Sequence, residues 1–297
     1  MYDVLVLGGG PAGLAAALTL GRARKRVLLC DGGVRRNAAA THLHNFVTRD
    51  GTPPLEFRRI AREQLAPYDV TVRDVAVETL EGAPDAFQAR MGDGTEAKAR
   101  RILLATGMID EMPPIPGFRE LWGHAIFQCP YCHGWEVRDQ AFGFLPRAPE
   151  MLEHGLFLQN WSPDLVAFTQ GAFEVPAATR ARLESAGVRI EERRIERLVP
   201  NADGSALEAV ELEGAARIAR QVLFAVPVQR QTAIVSSLGL EYDAMGFLKL
   251  DDQRRTSRPG IWGAGDATVP MQSATTGAAG GMMAAHFLNH ELALVGK

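Results

Sequence analysis

The feature that most constrains this chain lies at its start. Val4-Leu5-Val6-Leu7 is a short apolar run of the kind a buried strand needs, and it stops at Gly8-Gly9-Gly10-Pro11-Ala12-Gly13. Leu14 to Leu20 opens a helix, and Val27-Leu28-Leu29-Cys30 is a second strand closed by Asp31. This order is a βαβ unit with its glycines at the strand-to-helix turn. Gly8 permits a tight turn, Gly10 lets the backbone approach a pyrophosphate, and Gly13 allows close helix–strand packing. Pro11 and Ala12 lie in the same turn, where the first N–H groups of the helix and its positive dipole end favour an anion. Asp31 is placed to accept hydrogen bonds from an adenosine ribose. The pattern predicts a dinucleotide-binding unit, and by itself leaves FAD and NAD both open.

Composition narrows the rest. The chain has 297 residues, and about 150 residues per domain suggests two domains. Apolar residues are 46% and charged residues 23%, which excludes a disordered chain. A net charge of −3 argues against nucleic acid as a partner and against a polybasic membrane anchor. No uninterrupted apolar run approaches the roughly 18 residues of a membrane span, and Met1-Tyr2-Asp3 leads into a strand without a basic leader. A cytoplasmic location is the expectation. The cysteines are Cys30, Cys129 and Cys132, too few for a secreted disulfide framework.

Along the chain, further strands are expected in the region Val70 to Val77, near Phe87 to Met91, and at Arg101 to Ala105. Pro113-Pro114-Ile115-Pro116-Gly117 continues neither a helix nor a central strand, so it marks an exit. A second region follows, with a strand near Ala141 to Leu145, a helix near Glu150 to Asn160, and strands near Asp164 to Phe168 and Leu223 to Val226. After about Gly239 the character of the first region returns, with the Ile261-Trp262-Gly263 strand and a Gly- and Ala-rich helix from Thr275 to Asn289. The expected fold class is α/β: two nested three-layer (ββα) nucleotide-binding-like domains, the second inserted in the first. Residues 1–112 and 241–297 would form the first domain and residues 113–240 the insert.

Cys129-Pro130-Tyr131-Cys132 is the strongest chemical signal. Two thiols this close can shuttle between dithiol and disulfide, and a helix beginning at the pair would lower one thiol pKa. A zinc site needs four ligands at recognisable spacing; there is no second cysteine pair, so no metal is expected. Cys30 reads as a buried strand residue. His133 follows the pair directly and titrates near neutral pH, which suits a general acid or base. His42 and His44 are further candidate bases, with a solvated loop position as the plain alternative.

Three features favour FAD. Ala105-Thr106-Gly107 ends a strand before the proline cluster, Gly263-Ala264-Gly265-Asp266 ends one near the C-terminus, and Asn45-Phe46 sits in the long early loop. With the Cys-Pro-Tyr-Cys pair, this combination resembles the low-molecular-weight thioredoxin reductases, two-domain flavoprotein disulfide reductases, over nearly the whole chain. The resemblance implies that Asp266, beside Gly265, binds the ribityl chain of FAD. It implies that Gln272, Ser273 and Ala274 approach the isoalloxazine, and that Asn45 and the Thr106-Gly107 turn lie beside the cofactor. It further implies that Cys129 meets the external partner, that Cys132 faces the flavin, and that the protein is a homodimer. At the position of His133 those reductases carry an Asp. Cys-Pro-Tyr-Cys-His-Gly-Trp-Glu, Arg36-Asn37 and His44-Asn45-Phe46 are more similar to the FAD-dependent dithiol oxidases of gliotoxin- and holomycin-type natural products.

An absence sets direction. In the resembled reductases the inserted domain has its own glycine triad for NADPH. Here the equivalent strand runs into Pro146-Arg147-Ala148-Pro149-Glu150. The two prolines lack N–H donors, and side chains obstruct close backbone approach. The next strand runs into Phe168-Thr169-Gln170-Gly171, without the arginine pair that meets a 2′-phosphate. The expectation is therefore a dithiol–disulfide oxidoreductase with FAD but without NAD(P)H. Its substrate would be a small dithiol or a thioredoxin-like protein, and its redox partner oxygen, ferredoxin or another flavoprotein. The alternatives are an NADPH-dependent thioredoxin reductase with an atypical pocket and a non-catalytic FAD-binding redox sensor.

Overall fold

The computed structural model describes residues 1–33 and 35–294. It divides into two units. One contains 1–38, 45–110 and the chain from 229 onward; the other contains 39–44 and 111–228. The return to the first unit falls at Gln229, about twelve residues before the position expected from sequence. The reason is packing: Val235, Leu238 and Leu240 are buried in the first unit's core with Leu5, Phe87 and Ile102. The segment 39–44 goes with the second unit, where the backbone of Ala39 lies against Gly123.

The first unit is built on five parallel strands in the order Val70–Arg73, Val27–Cys30, Tyr2–Leu7, Glu96–Leu104, Ile261–Gly263. Strands covered on both faces read as continuous apolar runs, and Val4 to Leu7 are all buried. The nine-residue Glu96–Leu104 strand joins the parallel and antiparallel parts of one seven-stranded sheet. Its end aligns with Tyr2–Leu7, Leu5 beside Ile102 and Leu7 beside Leu104. Its beginning pairs antiparallel with Phe87–Met91, which pairs in turn with Val77–Glu81. In Phe87–Met91 buried and exposed residues alternate, as a strand with one wet face requires. One core cluster lies between the parallel sheet and this meander, another between the sheet and its helices.

The second unit repeats the plan. Its parallel order is Val188–Glu191, Leu165–Phe168, Phe142–Leu145, Val222–Ala225, Ile126–Phe127. Ile195–Pro200, Leu207–Leu212 and Ala216–Ala219 form its antiparallel meander. Here too one core cluster lies on each face of the parallel sheet. The two segments in which the chain passes between the units, Ile109–Glu111 and Val228–Arg230, pair as a two-stranded ribbon.

Candidate dinucleotide and dithiol sites

The first unit's turn is held by contacts that admit only glycine at three places. Gly8 has φ +110°, and a Cβ there would stand 2.2 Å from the Ala105 carbonyl oxygen. A Cβ on Gly13 would stand 1.8 Å from the Gly8 carbonyl oxygen, so helix and turn meet backbone to backbone. Gly9, which sequence reading passed over, lies against the Asp31 carboxylate. Gly10 differs: a Cβ there would meet no protein atom within 4 Å. It is the N-cap of the 12-residue helix Pro11–Arg22 and offers no side-chain cap, which leaves the first N–H groups of the helix to a ligand.

That helix packs on Ala274–Leu294, and a Cβ on Gly281 would stand 2.0 Å from the Ala12 carbonyl oxygen. Glycine inside a helix costs roughly 1 kcal/mol against alanine; here it permits the contact that seats the first helix. Gly265 sits under the same turn with φ +76°, and a Cβ there would stand 2.9 Å from the Ala12 methyl group. Thr106 Oγ1 is buried without a protein partner, and Gly107 has φ +67°. The open cradle at Gly10, the uncapped helix start and the unpartnered Thr106 hydroxyl fit the pyrophosphate of a dinucleotide such as FAD.

Asp31 is 4% exposed and is already engaged. Its Oδ1 accepts from the Gly33 amide, and its Oδ2 from the guanidinium groups of Arg58 and Arg62. These arginines lie one turn apart on the helix Pro54–Glu63, a spacing that puts both on one face. Asn45 has φ +60°; its amide donates to Asp50, and its carbonyl accepts from the Thr275 hydroxyl. Ser273 caps its own turn through Thr276, just before Ala274 begins the helix.

Asp266 belongs to a half-buried charge cluster that the sequence did not reveal. Arg36 holds Asp110 with two bonds of 2.7 Å and Asp266 at 3.0 Å. The same guanidinium bonds to Gln272, whose amide exchanges hydrogen bonds of 2.8 and 3.0 Å with Gln229. Burial pushes the Asp266 carboxyl up, and Arg36 draws it back down. Burial also works against the Arg36 charge, but Asp110 and Asp266 outweigh it and raise its pKa.

In the second unit Cys129 caps the short helix Pro130–His133. The two thiols are not bonded to each other. The Cys129 thiol is lowered to about 7, first by a hydrogen bond from Cys132, then against burial by the backbone amides of Cys132 and Tyr131. His133 stacks on Phe127 at 4.5 Å, and both of its ring nitrogens are buried without a protein partner. Burial pushes its pKa down and His44 adds to this, while Glu136 opposes. His44 Nε2 stands 3.5 Å from Glu136, with the His42 ring 6.2 Å from the His44 ring. Cys30, buried in the first unit, is raised to about 11 chiefly by burial.

The turn after Phe142–Leu145 has a different construction from the first unit's. Pro146 is buried, and Pro149 begins a five-residue 3₁₀ helix, Pro149–Glu153, followed by the five-residue helix His154–Leu158. The single helix expected from Glu150 to Asn160 is thus two short pieces. Gly155 is occupied structurally, since a Cβ there would stand 2.9 Å from the Phe144 ring. At the end of Leu165–Phe168, Gln170 turns with φ +56°, and its side chain accepts from the Ile195 amide.

Residues 2–141 and 169–285 match the pattern of the pyridine nucleotide-disulphide oxidoreductases. The chain belongs to that family. It is an FAD-dependent disulfide oxidoreductase of the thioredoxin reductase-like type. It is 31% identical to thioredoxin reductase aclD of Aspergillus oryzae, over 96% of this chain and 94% of that protein. It is 30% identical to thioredoxin reductase tcpT of Claviceps purpurea, over 98% and 94%. A probable thioredoxin reductase of Arthroderma benhamiae is 39% identical over 177 residues; this match spans 57% of this chain and 44% of that protein. Among solved structures, the crystal structure of HlmI is similar with a TM-score of 0.91 and 38% identity, covering 98% of this chain and 92% of that one. An oxidoreductase from Agrobacterium tumefaciens gives a TM-score of 0.92 at 36% identity, covering 99% of each. These relatives match the resemblance to thioredoxin reductases seen in the sequence. Among the described residues no helix is long and apolar enough to cross a membrane.

Proposed function

We propose that this family member passes electrons between a dithiol or disulfide substrate and FAD through Cys129 and Cys132, without a nicotinamide in the inserted unit's pocket. The observation that carries this is the turn from Leu145 to Glu153. Two prolines replace N–H donors, and a 3₁₀ helix stands where a pyrophosphate needs an open α-helix start. A dithiol substrate exchanges with the oxidised pair: its first thiolate attacks Cys129, its second displaces Cys129, and a substrate disulfide leaves the pair reduced. Bound FAD supplies the two-electron acceptor for that pair, with molecular oxygen as the terminal oxidant. The first unit holds the cofactor through Gly10, Pro11, Ala12, Thr106 and Asp266. Cys132 would be the thiol that hands electrons to the flavin and Cys129 the one that meets the substrate, whose attack its lowered pKa assists as leaving group. His133, neutral at pH 7, takes the thiol proton on an unpartnered ring nitrogen.

The names of the relatives favour a second reading, in which a thioredoxin-like protein is the partner and flux runs toward its disulfide. In that direction ferredoxin or another flavoprotein is the electron donor. A cytoplasmic homodimer completes either reading. Anaerobic titration of the purified yellow protein tests the proposal. A small dithiol is expected to bleach the flavin band while NADPH and NADH leave it oxidised. Prompt bleaching by micromolar NADPH would overturn it.

A further inference from the structure

The strongest unassigned feature is the Arg36 cluster, wholly within the first unit. The chain leaves that unit after Asp110 and returns to it at Gln229. Arg36 grips Asp110 with Nε and Nη2, and Asp266 with Nη1. Gln229 reaches the same guanidinium through its amide pair with Gln272, and Gln272 Nε2 also donates to the Asp266 carbonyl at 3.2 Å. One guanidinium therefore fastens both crossing points of the chain to the turn that carries Asp266. Asp110 and Arg36 are 6% and 19% exposed, so water does not substitute readily for these bonds. Only arginine can do this, because its planar fork meets two carboxylates and an amide at once.

We infer that Arg36 is a positioning residue that sets Asp266 for FAD and fixes both crossing segments to it, so that FAD binding stiffens the passage between the units. Without the guanidinium, two carboxylates share a half-buried space with no counter-charge, and Asp266 turns away from the cofactor. The inference rests on the assignment of Asp266 to FAD, and holds whichever electron donor is correct.

The test compares FAD affinity of the apoprotein, its Tm, and protease cleavage within 109–111 and 228–230 at saturating FAD. Arg36→Met is expected to weaken FAD by about tenfold or more. Arg36→Lys recovers only part, since an ammonium lacks the two-pronged contact. FAD slows cleavage of both segments in the parent and does so in neither segment of Arg36→Met. Gln229→Ala, which leaves the guanidinium in place, exposes 228–230 alone. Arg197→Met removes an exposed ion pair in the other unit and sets the scale for a purely structural change in Tm. FAD affinity of Arg36→Met within twofold of the parent, or unchanged protection of both segments, overturns the inference. If Asp266→Asn leaves FAD affinity unchanged, the assignment of Asp266 is what fails. If it weakens FAD and Arg36→Met does not, the positioning role fails.

Discussion

The two units repeat one architecture and differ at one turn. After its first strand the first unit turns on Gly8, opens a cradle at Gly10 and starts a 12-residue helix. After the strand Phe142–Leu145 the second unit meets Pro146 and Pro149 and makes two helical pieces of five residues each. The helix Pro11–Arg22 is seated by Gly13 and Gly281, where backbone touches backbone. The corresponding element in the second unit is seated by side chains, with Gly155 against the Phe144 ring. A sheet flanked by a meander tolerates either solution. A pyrophosphate is served best by bare N–H groups at close range, which the first turn offers and the second does not. The proposed function rests on this difference, with a cofactor cradle in one unit and a dithiol carrier in the other.

The sharpest way to break this comparison is to fill the first turn. Gly13→Val drives a side chain into the Gly8 carbonyl, where even a Cβ has 1.8 Å. The expected outcome is a colourless protein destabilised by more than about 4 kcal/mol, checked by flavin absorbance and urea unfolding. The thiols come next. Cys129 is lowered to about 7 and Cys30 raised to about 11. Alkylation of the reduced protein at pH 7 should label Cys129 roughly 10²-fold faster than Cys30 or more, since its larger thiolate fraction outweighs the lower nucleophilicity of a low-pKa thiolate. Lowering the pH below 7 protonates Cys129 and slows it, whereas Cys30 needs a pH near 11; peptide mapping across pH reads both. Equal labelling would mean that burial does not separate the two units' thiols.

His133→Gln should lower dithiol turnover by roughly 10²-fold while flavin absorbance stays intact. The lowered His133 pKa places the protonated form below pH 6.5, so the acid limb of the parent's pH–rate profile should disappear in the variant. The smallest effect belongs to the second turn. Pro149→Ala should change stability by less than about 1 kcal/mol and leave NADPH unable to bleach the flavin. Bleaching by NADPH in that variant would show that a single proline, and not the whole turn, closes the pocket.

Much of this was legible in residues because some chemistry leaves no choice. A tight turn with backbone against backbone admits only glycine, so Gly8 and Gly13 announce the first unit. Strands buried on both faces must be apolar throughout, so the parallel strands could be read. Two cysteines in Cys-Pro-Tyr-Cys announce a redox pair wherever the fold puts them. What stayed hidden depends on partners distant in sequence. Asp31 could be read as a ribose acceptor, but not the two arginines, Arg58 and Arg62, that hold its carboxylate. The return to the first unit at Gln229 follows from Val235, Leu238 and Leu240 joining a core assembled elsewhere. Arg36 and Asp266 stood out in the sequence for other reasons, but nothing there joined them to Asp110 and Gln272, and a guanidinium among two carboxylates and an amide exists only once these distant segments converge. Sequence by itself determined the turns and strands, because backbone geometry and burial constrain each residue locally. Tertiary structure alone decided the charge cluster and the environment of each thiol, because desolvation and ion pairing are properties of neighbours.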